Sequence, residues 1–198
     1  MNFINLIWKP NLAVDEAVKK KEIKDSIVVL IIGAILMALA FAILFSNIAA
    51  SFTSLNIIGL VFFAIICAVL IILAGLIKGF FLYKVMEALG TKSSYFAGVS
   101  TFAYSLVPIS VGFLLASLLF KIPDLGMLLA FLIATPFVLL GTATMYNGVK
   151  TFFKTDMIIA LVGVSAFMLG VLLVFYFVLI YSIMQSSGTL VSSMMYPF

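Results

Sequence analysis

The chain has no histidine, no arginine and a single cysteine, Cys67, so the groups left for chemistry are hydroxyls, amides, a few carboxylates and eleven lysines. The densest polar groupings lie beside two prolines. Tyr104, Ser105 and Ser110 flank Pro108; Thr135, Thr142 and Thr144 surround Pro136, with Asn147 just beyond. A proline inside a helix removes one hydrogen bond and crowds the carbonyl four residues back, here those of Tyr104 and Leu132. Neighbouring hydroxyls can re-satisfy the freed groups. Two kinked helices of this kind could line a polar cavity for a neutral solute or lipid. Tyr104, Ser105, Pro108, Thr135, Pro136 and Asn147 are therefore the candidate helix-kink and cavity residues. The plainer reading, which the pattern favours, is that the kinks serve helix packing.

The elements that must position these groups follow from composition. The chain of 198 residues is 66% apolar and 9% charged, with a mean hydropathy of +1.38. Ordinary globular chains are about 45–50% apolar and ~25% charged. This is the composition of an integral membrane protein. Residues 26–77, 93–120, 125–149 and 157–198 carry no charge, and about 20 helical residues cross a ~30 Å hydrocarbon core. The first run is long enough for two crossings and divides at the small, polar patch 46–54. The expected fold is all-α: a polytopic membrane helix bundle with five transmembrane helices, at 26–45, 55–77, 95–120, 125–149 and 157–184. An amphipathic segment, 1–25, precedes the 26–184 membrane domain and a tail, 185–198, follows it.

Lysine placement sets the expected orientation. Five lysines precede the first span, three fall in 78–94 and two in 150–156, against Lys121 alone in the opposite loops. The segment 1–25 and both lysine-rich loops should be cytoplasmic, and the tail external, in a multi-pass protein of the cell membrane. Ile48-Ala49-Ala50-Ser51 has the look of a signal-peptide cleavage site, but the apolar core before it is too long for one.

This layout removes most chemistry. No span contains an Asp pair, a Ser with a titratable base, or His and carboxylate metal ligands, and no Gly-rich phosphate loop occurs. No catalytic, metal or cofactor-binding residue is expected, and the chain does not read as an enzyme. Without arginine it lacks the rigid bidentate fork suited to phosphate backbones, so nucleic acid is not an expected partner. Charge-free spans argue against a proton relay or voltage sensor.

Outside the spans, two segments carry pattern. In 1–25, Phe3, Leu6 and Ile7 share a helical face, and Pro10-Asn11 breaks and restarts the chain with Asn11 as N-cap. Asp15 and Glu16 then precede Lys19, Lys20 and Lys21, which suits the helix dipole. The expectation is an interfacial helix with Trp8, the sole tryptophan, at headgroup depth. In 78–94, Phe81, Val85, Ala88 and Leu89 share one face with Lys84 and Glu87 opposite, Gly90 offers a left-handed terminus, and Ser93 or Ser94 can cap the next helix. Lys78 can snorkel at the membrane edge. Small residues at helical spacing (Ala34, Ala38 and Ala42; Gly75 and Gly79; Gly112 and Ala116; Ala166 and Gly170) suit close helix packing and could equally support a homo-oligomer.

Together these features resemble the Yip family of small multi-span proteins, named for interaction with Ypt/Rab GTPases. The resemblance rests on Trp8-Lys9-Pro10, on the Leu82–Gly90 run, on Tyr95–Pro108 with its Tyr104-x-x-x-Pro108 spacing, and on Gly148-Val149-Lys150 followed by Thr155-Asp156-Met157. The Asp-Leu-Tyr-Gly-Pro stretch that eukaryotic members link to GTPase binding does not occur, so the likeness is to the compact prokaryotic or archaeal branch and Rab binding is not carried over. The resemblance implies a non-enzymatic membrane-organising scaffold or adaptor, embedded in the lipid bilayer and meeting a cytoplasmic protein partner. Trp8, Pro10, Lys78, Lys84, Glu87 and Gly90 are its candidate interface residues. The alternative is a small transporter or channel subunit with its path between the Pro-kinked helices.

Overall fold

The computed structural model describes residues 3–20, 23–49, 57–91, 94–122, 125–173 and 176–177. Residues 178–184 of the expected fifth span, the tail 185–198 and most of the dividing patch 46–54 lie outside them. The described residues are helical or in turns, with no strand. In order they form α1 (Phe3–Trp8), α2 (Pro10–Lys20), α3 (Ile23–Ala49), α4 (Ile57–Ala88), α5 (Tyr95–Leu119) and α6 (Gly126–Phe152). A further apolar helix, α7 (Met157–Leu173), follows. Four of these, α3 to α6, are long and apolar enough to cross a membrane; the described run of α7 is shorter. A chain in hydrocarbon must satisfy its backbone internally, and unbroken apolar runs do so as helices.

Helix α5 is the centre. More than half of its apolar window is buried, whereas none of α4's is. Its composition explains this: Ala97, Gly98, Ser100, Thr101, Ala103, Ser105, Ser110 and Gly112 are small enough to let neighbours approach closely. Three helices pack on it. α3 runs parallel to it: Gly33 sits against Leu106, the Ser110 hydroxyl donates to the Gly33 carbonyl at 2.9 Å, and the Asn47 amide donates to the Ser117 carbonyl at 3.2 Å. α4 is antiparallel to it through Gly79 and Gly98. α6 is antiparallel too, with Gly112 beneath Phe137, Gly141 against Ile109, and Gly148 against Thr101. α7 reaches α4 by Gly163 at Met86, and by Phe167 and Gly170 at Phe81.

Two apolar clusters hold the assembly. One joins Ala13, Val14 and Ala17 of α2 to Val29 and Leu30 of α3 and to Val99, Ala103, Tyr104 and Val107 of α5. The other joins Leu82 and Met86 of α4, Ala97, Met145, Val149 and Phe153 to Ala160, Val164 and Phe167 of α7. Most of both lies towards the end where α3 and α5 begin and α4 and α6 finish, the end that carries nearly all the lysines.

Local chemistry sets the turns there. Gly90 has φ +79° and closes α4 in a Schellman motif, with Thr91 N–H donating to Met86 O at 3.2 Å and Gly90 N–H to Glu87 O at 3.0 Å. Ser94 caps α5, its Oγ accepting from Ala97 N–H at 3.3 Å. Lys154, φ 50°, ends α6 in the left-handed region, and Asp156 Oδ1 accepts from Ile159 N–H at 2.8 Å at the start of α7.

Two expectations are corrected. Helix α2 begins two residues earlier than the Asn11 cap implies, at Pro10, and Leu12 N–H donates to Lys9 O at 3.0 Å. Pro10 takes the first helical position, where its missing N–H costs nothing. The buried face of α4's end is Leu82 and Met86, with Phe81 and Leu89 substantially exposed; the face is rotated by one residue so that it continues Gly75 and Gly79. Beyond these, α1 and α2 pack against the bundle. α2 packs on α5 and α6, burying Pro10, Ala13 and Val14. The Trp8 ring lies 6.2 Å from that of Phe137, midway along α6. The small side chains of α2 permit this close seating.

Candidate functional site: the lysine-bearing end

Helix α4 does not stop where its charge-free stretch ends at Ile77; it continues through residues 78–88. That extension is clamped on one side by Leu82 and Met86 and carries polar groups on the other. Lys84 Nζ lies 2.7 Å from Glu87 Oε2, and the Tyr83 hydroxyl donates to Glu87 Oε1 at 3.1 Å. The Lys84 ammonium also sits 5.0 Å from the Tyr83 ring centroid. The hydrogen bond from Lys84, then that from Tyr83, holds the Glu87 carboxyl below the usual carboxylate value. The same bond raises Lys84. Both side chains are about half exposed, so the pair is presented rather than buried. Lys78 does not simply extend outward: its ammonium lies over the Phe102 ring, 5.2 Å from the centroid. Gly90 sets the turn that ends the extension.

The expected interface residues thus fall in two places. Lys84, Glu87 and Gly90 belong to the α4 end. Trp8 and Pro10 belong to the α1–α2 junction against α5 and α6, with Trp8 exposed and Pro10 buried. Among the described residues, no hydrogen bond or ion pair joins the two groups.

The kink residues do not converge on one polar cavity. Tyr104 is buried, with its ring 6.1 Å from that of Phe152. The Ser105 hydroxyl donates to Phe102 O at 2.9 Å, and Pro108 is buried within α5. Thr135 donates to Phe131 O at 2.8 Å, beside the exposed Pro136. The Asn147 carbonyl accepts from the Thr151 hydroxyl at 2.6 Å. Only Thr135 of this set borders a cavity, of about 430 Å³, between α3, α5 and α6.

The family comparison covers nearly all of these elements. The Yip1 domain matches residues 4–190. The chain belongs to the Yip1 domain family. No curated protein and no solved structure matches it.

As a Yip1 family membrane protein, the chain places the residues behind the resemblance at structural junctions. Trp8-Lys9-Pro10 is the α1–α2 hinge, Leu82–Gly90 the projecting end of α4, and Tyr95–Pro108 the first half of the central helix. Sequence spacing missed Gly98, Gly141 and Gly148, although each receives a neighbouring helix. Their signal was present as glycine inside charge-free spans, four or more residues from any terminus-forming turn in the last two cases. It also missed the cavity, which is bounded by ordinary apolar side chains.

Proposed function

We propose that this Yip1 family protein is a non-enzymatic scaffold or adaptor with five membrane crossings, α7 and the residues after it forming the fifth. Its working surface is the lysine-bearing end, which faces the cytoplasm and meets a protein partner there. The observation that carries the reading is the α4 extension. A helix serving only to span would end with its apolar stretch, yet this one continues rigidly and presents the Lys84–Glu87 pair. The rest of that helix end is fixed by Met86 at α7 and by the Gly90 turn. The α1–α2 segment is the second element of the surface, positioned by Pro10 and Val14 on the bundle. Affinity capture with Glu87→Lys and Trp8→Ala tests this. Either variant, inserted and folded as the parent, should lose partners or alter membrane morphology. Unchanged partners and morphology in both would contradict it.

A further inference from the structure

The crevice between α3 and α6, floored by α5, is divided along its length. On the lysine-bearing half α2 occupies the space over α5 and α6. On the other half it stays open as the cavity of about 430 Å³, lined by Phe41, Phe113, Ala116, Phe131, Ala134 and Leu139 among others. That volume falls in the ~300–1,000 Å³ range of ligand sites. The two hydroxyls on its wall are already spent on their own helix: Ser117 donates to Leu114 O at 2.8 Å and Thr135 to Phe131 O at 2.8 Å. The wall therefore offers almost entirely hydrocarbon contact, and neither hydroxyl has a donor left to orient a polar solute.

Its dimensions fit one kind of occupant. Along α6 it runs from Met127 to Leu139, about 18 Å at ~1.5 Å per residue. That is slightly more than half of a ~30 Å hydrocarbon core, the depth of one leaflet. Its inner end is level with Trp8 against Phe137. Its outer end is bordered by Phe120, and the next residue is the exposed Lys121. Lys121 is the single charged group among the described residues at that end; Asp124 lies outside them. We propose that the groove holds one acyl chain of an anionic phospholipid, with the lipid phosphate beside Lys121. This goes beyond the scaffold reading, whose surface is at the other end.

The test uses the full chain in nanodiscs of mixed phosphatidylglycerol and phosphatidylcholine, released into detergent and measured by native mass spectrometry. One phosphatidylglycerol should remain bound per chain. Ala134→Phe, which fills the groove, should lose it while keeping the helical content of the parent; Lys121→Gln should lose the preference for phosphatidylglycerol over phosphatidylcholine. Should Ala134→Phe fail to fold, the parent protein still decides. Phosphatidylglycerol spin-labelled at the chain end should quench Trp8 more than the same lipid labelled near its headgroup, and the quenching should outlast dilution into unlabelled lipid. No retained lipid, equal retention by folded Ala134→Phe, or quenching that disappears on dilution would overturn the proposal. So would a dimer that covers the groove, or retention only after truncation beyond Phe177.

Discussion

Gly79 and Gly98 bring α4 and α5 together backbone to backbone. A Cβ on Gly79 would stand 2.8 Å from the Cα of Val99, and one on Gly98 would run into the Gly79 carbonyl oxygen. Because the obstacles are main chain rather than flexible side chains, neither helix can yield locally. This crossing fixes where the α4 extension emerges and so where Lys84 and Glu87 are presented.

The first prediction follows from that contact. Gly98→Ala should destabilise the folded protein by about 1–3 kcal/mol, the usual cost of overpacking. Gly59 meets nothing within 4 Å, so Gly59→Ala should be neutral or stabilising by up to ~1 kcal/mol through helix propensity. Thermal denaturation in detergent, both variants against the parent, checks the contrast.

Ser110 tests the α3–α5 seam. Its single O–H has two carbonyl acceptors in reach, Gly33 O at 2.9 Å and Leu106 O at 2.8 Å, and only the first lies across the helix seam. Ser110→Ala should cost about 0.6 kcal/mol, the average for interhelical hydrogen bonds in a membrane bundle. Reversible unfolding in mixed micelles measures it.

Val14 tests the seating of α2. It is fully buried in the α2–α3–α5 cluster, and an aspartate there would bury an unpaired charge at several kcal/mol. Val14→Asp should release α1–α2 and shift Trp8 emission to longer wavelength as the ring leaves Phe137. An unchanged spectrum would mean that α2 is not docked in this way.

Glu87 separates function from stability. Its carboxyl is held below the ordinary carboxylate value by Lys84 and Tyr83, so the contribution of the pair is present above that ordinary value and is lost as pH falls through the lowered one. The group is exposed, and Glu87→Gln should leave thermal stability unchanged at neutral pH. Partner capture should fall in the same variant, and capture by the parent should weaken on acidification through that window.

How much of this was legible in the sequence depends on whether the signal was local. Charge-free runs located α3 to α6 because the solvent of a membrane span is read from composition. Gly90 and Ser94 announced their turns because a left-handed residue and an N-cap need only their neighbours. The buried face of α4 was not legible: Phe81, Leu82, Val85 and Met86 are all apolar, so only the glycine row Gly75–Gly79 marks the contact side. The seating of α2 was hidden for another reason. Ala13, Val14 and Ala17 make a weak apolar stripe that suits a lipid surface as well as a helix crevice, and only the tertiary partners decide. Tyr104 and Ser105 read as cavity-lining because hydroxyls near a proline can face a void or a neighbouring backbone. In the structure both are buried in the packing of the central helix, and the void lies elsewhere.

Sided cysteine labelling bears most directly on the claim that the lysine-bearing end is the cytoplasmic working surface. Cys67, the one native cysteine, is replaced by alanine, and Lys84→Cys or Lys121→Cys is introduced singly. Intact cells are then treated with a membrane-impermeant maleimide. The account predicts labelling of Lys121→Cys in intact cells and of Lys84→Cys only after permeabilisation. Labelling of Lys84→Cys in intact cells, alone or together with Lys121→Cys, would contradict it.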